Sequence, residues 1–163
     1  MRAGIGIDPG QTGGVARRSD SGTCASHADH WHGRILTPEA AHNALRAIGA
    51  ERGDLCYIEA LTSRPGQSQR SGMTMQSNHD TWVRACTDYG LTISVKSTSR
   101  LDRLAGIPRN ARRGGKGVLC AIVSELCPDV NLTPGRRAKP HDGIAEACLF
   151  ALAAYRTLAM IES

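Results

Sequence analysis

A chain of 163 residues is long enough to bury a core without disulfides, and at 40% hydrophobic and 21% charged it is neither disordered, fibrous nor low in complexity. Its net charge of +5 rests mostly on arginine, with only three lysines (Lys96, Lys116, Lys139), and the planar guanidinium suits an anionic, phosphate-bearing partner. Phe150 is the single phenylalanine, so the core is expected to be built from Ala, Leu, Ile and Val.

In chain order, Ala3 to Asp8 (AGIGID) is a short apolar run stopped by Pro9-Gly10, which reads as a strand and turn. Thr12 to Arg17 returns as a second strand, and His27 to Ile35 is a weaker, His-rich strand candidate. Thr37-Pro38-Glu39 opens a helix, with Thr37 as N-cap and proline at the first helical position; it is expected to run to about Arg52 and break at Gly53. Leu55 to Glu59 (LCYIE) reads as a buried strand ending on a carboxylate, and the polar stretch Thr62 to Gly72 as a loop. A helix beginning at Thr74 or Ser77 ends at Asp88 before Gly90, and Leu91 to Val95 alternates as a strand. Short helices follow at Ser99 to Leu104 and Gly117 to Leu126, and the last helix spans Pro140 to Ile161. This order predicts an α/β fold, about five strands in a mixed sheet flanked by helices, within one domain covering residues 1–163.

The six cysteines, at 24, 56, 86, 120, 127 and 148, form no CxxC pair and several fall in apolar runs. They read as reduced, mostly buried residues of a cytoplasmic protein rather than as zinc ligands or a disulfide framework. The N-terminus enters a strand-like segment at once, which argues against a signal peptide, and no apolar run is expected to reach membrane-spanning length.

Four carboxylates stand beside residues expected to be buried: Asp8 and Glu59 at strand ends, and Asp142 and Glu146 one turn apart on one face of the last helix. Singly, each has an ordinary reading: a turn aspartate, a strand-end charge, a helix-start acid. Glu146 resists this best, because it interrupts an alanine-rich helix on its packed side. Gathered near one point they repel, and burial costs several kcal/mol unless a cation compensates. Mg²⁺ or Mn²⁺ with oxygen ligands is the natural remedy, and two such ions roughly 3.5–4 Å apart make a phosphodiester-cleaving site.

GIGIDPGQTGG at 4–14, YIEA at 57–60 and HDGIAEACLFALAAYR at 141–156 resemble the three motifs of RuvC-type Holliday-junction resolvases, in the right order and over nearly the whole chain. PGQ at 65–67, the tryptophan-bearing NHDTWVRAC at 78–86 and the final DG-x-AEA pattern resemble the phage and chloroplast branches of that family. The resemblance implies a ribonuclease-H-like fold and a homodimer that makes two symmetric nicks in a four-way DNA junction. It also implies Asp8, Glu59, Asp142 and Glu146 as catalytic metal ligands, with no nucleotide cofactor and no membrane partner, and ends carrying 5′-phosphate and 3′-hydroxyl groups. The chain departs from the pattern in its loop 60–72, which has no aromatic residue, and at 95–106, where VKSTSRLDRLAG replaces the tryptophan-lysine pattern of phage relatives. Some members carry histidine in the last motif; His141 is an assisting candidate, but the spacing to Glu146 favours Asp142.

DNA contact is expected from the basic stretch 96–116, where Lys96, Arg100, Arg103, Arg109, Arg112, Arg113 and Lys116 face one acid, Asp102. Lys116 is the best candidate to assist the active site, because it precedes a helix N-terminus that attracts anions. Arg136, Arg137 and Lys139 form a second cluster, and Arg64, Gln67, Gln69 and Arg70 are candidates for reading the junction. His27, His30 and His32 read as an exposed polar strand rather than a metal site, Trp82 as core or dimer packing, and Met73 and Met75 as an apolar contact. The competing readings are a nuclease of the same fold acting on flaps or RNA–DNA hybrids, and a non-catalytic junction-binding scaffold. An actin-like nucleotide-binding protein would need a second half of the fold and a second phosphate loop, for which these 163 residues are too short.

Overall fold

The computed structural model describes residues 2–10, 12–26, 31–32, 35–62, 66, 68–134 and 139–163. Alternating apolar residues form β1 (Gly4–Asp8), which turns through Pro9-Gly10 into β2 (Gly14–Ser19). A tight turn at Asp20-Ser21 leads to β3 (Gly22–Ser26). The third strand of the main sheet therefore lies upstream of the His-rich segment expected to supply it. That segment gives only two short strands, β4 (Trp31–His32) and β5 (Ile35–Leu36), paired with each other outside the main sheet.

Thr37 caps α1 (Pro38–Ala47) as expected, its hydroxyl accepting from the Ala40 amide at 3.2 Å. The helix stops well before Arg52, because the chain turns at Gly49 in the left-handed region, φ 67°. The buried strand β6 (Leu55–Glu59) is followed by α2 (Gln69–Asp88), which starts a turn or more before the expected position. Its N-cap is Ser68, whose hydroxyl accepts from the Ser71 amide, so Gln69 and Arg70 sit in the first helical turn and not in a loop. β7 (Thr92–Lys96), α3 (Thr98–Ala105), a 3-10 turn at Ala111–Gly114, α4 (Gly115–Leu126) and α5 (Asp142–Glu162) complete the chain. The expected short helix at Ser99 to Leu104 is thus present as α3, and the 3-10 turn and the first turn of α4 make most of the basic stretch 96–116 helical.

The five-stranded sheet has the order β3-β2-β1-β6-β7. β1 pairs antiparallel with β2 and parallel with β6, and β6 pairs parallel with β7, so Asp8 and Glu59 both finish at the same edge of the sheet. Ile5, Ile7, Val15, Cys56 and Ile58 pack on one face with α1 and α2, where Trp82 is fully buried. Ala16 and Tyr57 pack on the other face with α3, α4 and α5. Alternation in β1 puts its isoleucines on the first face and Gly4 and Gly6 on the second. There α5 lies so close that a Cβ on Gly6 would fall on the backbone of Ala147 and Ala151, and one on Gly4 on that of Tyr155. Glycine spacing in β1 and small residues in α5 are two halves of one contact.

Contrary to the reading of the sequence, α5 is long and apolar enough by composition to cross a bilayer. Its apolarity has another cause here: most residues from Gly143 to Ala154, and Leu158, are buried against the sheet and the neighbouring helices. Five of the six cysteines are buried, Cys24 is exposed, and all are free thiols.

Candidate functional site

The four carboxylates come from three elements that end at one edge of the sheet: Asp8 from β1, Glu59 from β6, Asp142 and Glu146 from the first two turns of α5. Two glycines bring α5 into place. Gly13 bridges to Gly143 in parallel, and a Cβ on Gly143 would meet the Thr12 carbonyl, while one on Gly13 would meet that of Asp8. His141 is the N-cap of α5; it is 4% exposed and its Nδ1 accepts from the Ile144 amide at 3.3 Å. The structure thus gives it a capping role at the start of the helix that carries Asp142.

Each carboxylate meets a donor of the chain itself. Asp8 Oδ1 accepts from the Gly10 amide at 2.9 Å. Glu59 accepts from the Thr98 hydroxyl at the start of α3. Asp142 is ion-paired with Lys116 from the first turn of α4. Both oxygens of Glu146 accept from Arg112, at 2.6 and 2.7 Å. Among the described residues, no three His, Cys, Asp or Glu side chains are drawn together closely enough to hold one ion in this arrangement.

The charges nevertheless act on each other. Burial raises the Asp8 carboxyl, the Gly10 amide opposes this, and repulsion from Glu59, Glu146 and Asp142 adds to the rise, bringing its pKa to about 7. Burial would raise Asp142 too, but the hydrogen bond and charge of Lys116 outweigh it and hold the group below its usual value. The same contact raises Lys116. For Arg112, partial burial works against the charge, yet Asp102 and Glu146 push its pKa further above the ordinary arginine value.

The other sequence-derived candidates divide by location. Lys96 is half-buried with its ammonium 4.9 Å from the Tyr57 ring centre. Arg100, Arg103, Arg109, Arg113 and Lys139 are exposed, as are Gln69 and Arg70 at the start of α2. Arg103 and Arg109 line a cleft of about 540 Å³ with Asp102, Ile107 and Pro108. Arg112 is not presented outward with its neighbours, because its guanidinium turns in to Asp102 and Glu146. Arg64, Gln67, Arg136 and Arg137 lie outside the described residues, as do His27, His30 and the side chain of His32. Thr98 and Asp102 were not singled out from the sequence as site residues. The one available signal was that Asp102 is the lone acid among seven basic residues.

No family model and no curated protein sequence matches the chain. Its architecture does match solved structures. A RuvC from T. thermophilus, in complex with a Holliday junction substrate, superposes with a TM-score of 0.65 at 12% identity, covering 98% of this chain and 96% of that one. Another Thermus thermophilus RuvC structure matches with a TM-score of 0.56 at 14% identity, over 96% of this chain and 95% of that one. The chain therefore has the ribonuclease-H-like fold of RuvC, a mixed five-stranded sheet flanked by helices, over nearly its full length.

Proposed function

We propose that this protein is a divalent-metal-dependent endonuclease that resolves four-way DNA junctions, acting as a homodimer that nicks two opposed strands and leaves 5′-phosphate and 3′-hydroxyl ends. The observation that carries the proposal is that Asp8, Glu59, Asp142 and Glu146 stand at one edge of a RuvC-like fold, where burial first, and repulsion from the other three acids after it, raise the Asp8 pKa to about 7. A fold under-determines function, so the weight rests on this site.

The donor set fits Mg²⁺ or Mn²⁺. All four groups are carboxylates, the oxygen ligands that hard cations prefer, and their surplus charge is what a bound cation relieves. Two ions held by these residues would polarise the scissile phosphate and lower the pKa of the attacking water. Asp8, on a strand end and held by the Gly10 amide, would supply one of the ligands. Thr98 orients Glu59 by hydrogen bonding one of its oxygens. Lys116, tethered to Asp142 and otherwise exposed, is placed to donate to a phosphate oxygen at the rim of the site. The exposed Arg100, Arg103, Arg109 and Arg113 would neutralise phosphates further along the backbone, and a partner with two paired sites follows from cutting two strands symmetrically.

The direct test is cleavage of a labelled four-way junction with Mg²⁺ or Mn²⁺, beside a matched linear duplex, a flap and an RNA–DNA hybrid. Paired symmetric nicks confined to the junction, reduced more than about a hundredfold by Asp8→Asn, are expected. Cutting of the flap or hybrid instead would reject the junction assignment, and binding without cutting would favour a scaffold.

A further inference from the structure

Arg112 is gripped on two sides. Its Nε and Nη2 donate to Asp102 at 2.5 and 2.8 Å, and its Nη1 and Nη2 donate to Glu146 at 2.6 and 2.7 Å. A guanidinium has five N–H bonds, and four of them here point at carboxylates. The two acids are not equivalent. Glu146 belongs to the acidic group of four, and both its oxygens are covered by the arginine. Asp102 stands on α3, outside that group, and takes the Nε edge of the guanidinium. A two-edged fork with one partner in the site and one beside it has a simple alternative state: it releases Glu146 and stays on Asp102.

We propose that Arg112 is a clasp on Glu146 that competes with a divalent cation for that carboxylate, with Asp102 as the anchor that keeps the arginine in place when the clasp opens. This rests on the metal-site reading above. The guanidinium and the cation are alternative counter-charges for the same two oxygens, so closing the clasp weakens cation binding and cation binding opens the clasp, by equal factors. The bidentate fork is what makes the competition effective, since an ammonium cannot cover both oxygens in one plane. Arg112 is thus a positioning residue, acting on the site through Glu146.

Calorimetric titration of the full chain with Mn²⁺, without DNA, tests this in the wild type, Arg112→Lys, Arg112→Gln and Asp8→Asn, with circular dichroism confirming that each is folded. The clasp predicts that Arg112→Lys, which keeps the charge and loses the fork, binds Mn²⁺ about fivefold tighter than the wild type, and Arg112→Gln tighter still by about tenfold or more. Tightening in Arg112→Gln with Arg112→Lys at wild-type affinity would overturn the clasp in favour of a plain effect of charge. Equal affinity in all three, with binding lost in Asp8→Asn, would overturn the clasp and leave the metal site standing. No Mn²⁺ binding by any of the proteins would overturn both.

Discussion

Asp54, immediately before β6, and Glu59, its last residue, lie at opposite ends of one strand and meet opposite surroundings. Asp54 is 1% exposed, and it shares Arg17 with the exposed Glu51, whose carboxylate lies 3.6 Å from the guanidinium. Asp54 accepts from the Ala3 amide at 2.9 Å, the Glu51 amide at 3.1 Å and Arg17 Nε at 2.8 Å, so one arginine and two backbone donors balance one charge. At the other end, Glu59 stands near Asp8, Asp142 and Glu146; Lys116 is paired with Asp142 and Arg112 with Glu146, and repulsion from the other three acids reaches Asp8. A buried acid whose hydrogen bonds and charge are fully answered ties strands together. Acids gathered near one point repel one another, and the proposed cation site draws on that crowding.

The comparison yields effects of different kinds at the two ends. Replacing Asp54 by alanine leaves the Arg17 guanidinium, 16% exposed, with only the longer pair to the exposed Glu51 and strips two backbone amides of their acceptor, so a stability loss of about 3–5 kcal/mol is expected in urea denaturation. A loss under about 1 kcal/mol would mean that the ion pair is not structural. At the acidic end the sign reverses with pH. Asp8 holds its proton more tightly in the folded chain than in the unfolded one, so its stabilising contribution is complete below pH about 4 and is lost as pH rises through about 7. Asp8→Asn does not titrate. Without metal it should match the wild type at low pH and exceed it above pH 7, by no more than about 4 kcal/mol for a pKa moved from 3.8 to about 7. Thermal denaturation in chelator across pH 4 to 8 checks this, and a gap that stays constant with pH would contradict it. The smallest effect concerns His141, whose replacement by alanine removes the α5 cap and should cost about 1 kcal/mol.

The two ends also differ in how far they could be read from the sequence. β1, β6 and the carboxylates that end them were legible because each joins a short apolar run to a clear stop. The start of α1 was legible because Thr37-Pro38 carries its own cap chemistry, and α5 because an alanine-rich helix with two acids one turn apart has few other uses. β3 was missed because GTCAS has no large apolar residue and is held by pairing to β2. The first turns of α2 were hidden because Ser68, its cap, is one serine among several in a polar stretch, and the helix there is exposed and shows no apolar stripe. Arg112 could not be separated from its basic neighbours, because its partner Glu146 lies 34 residues away and is met only through the packing of α3 and α5. Composition identifies an arginine; only the fold says whether its charge faces outward or is already answered.

Thermal denaturation of the wild type, Asp8→Asn and Asp54→Asn with and without Mn²⁺ tests the central claim, that the acidic edge of the sheet takes a divalent cation and the opposite end does not. At a hundredfold excess over the dissociation constant a bound ion stabilises by about 2.7 kcal/mol. The account predicts that Mn²⁺ raises the melting temperature of the wild type and of Asp54→Asn by the same few degrees and leaves Asp8→Asn unmoved. An equal rise in all three, or none in the wild type, would contradict it.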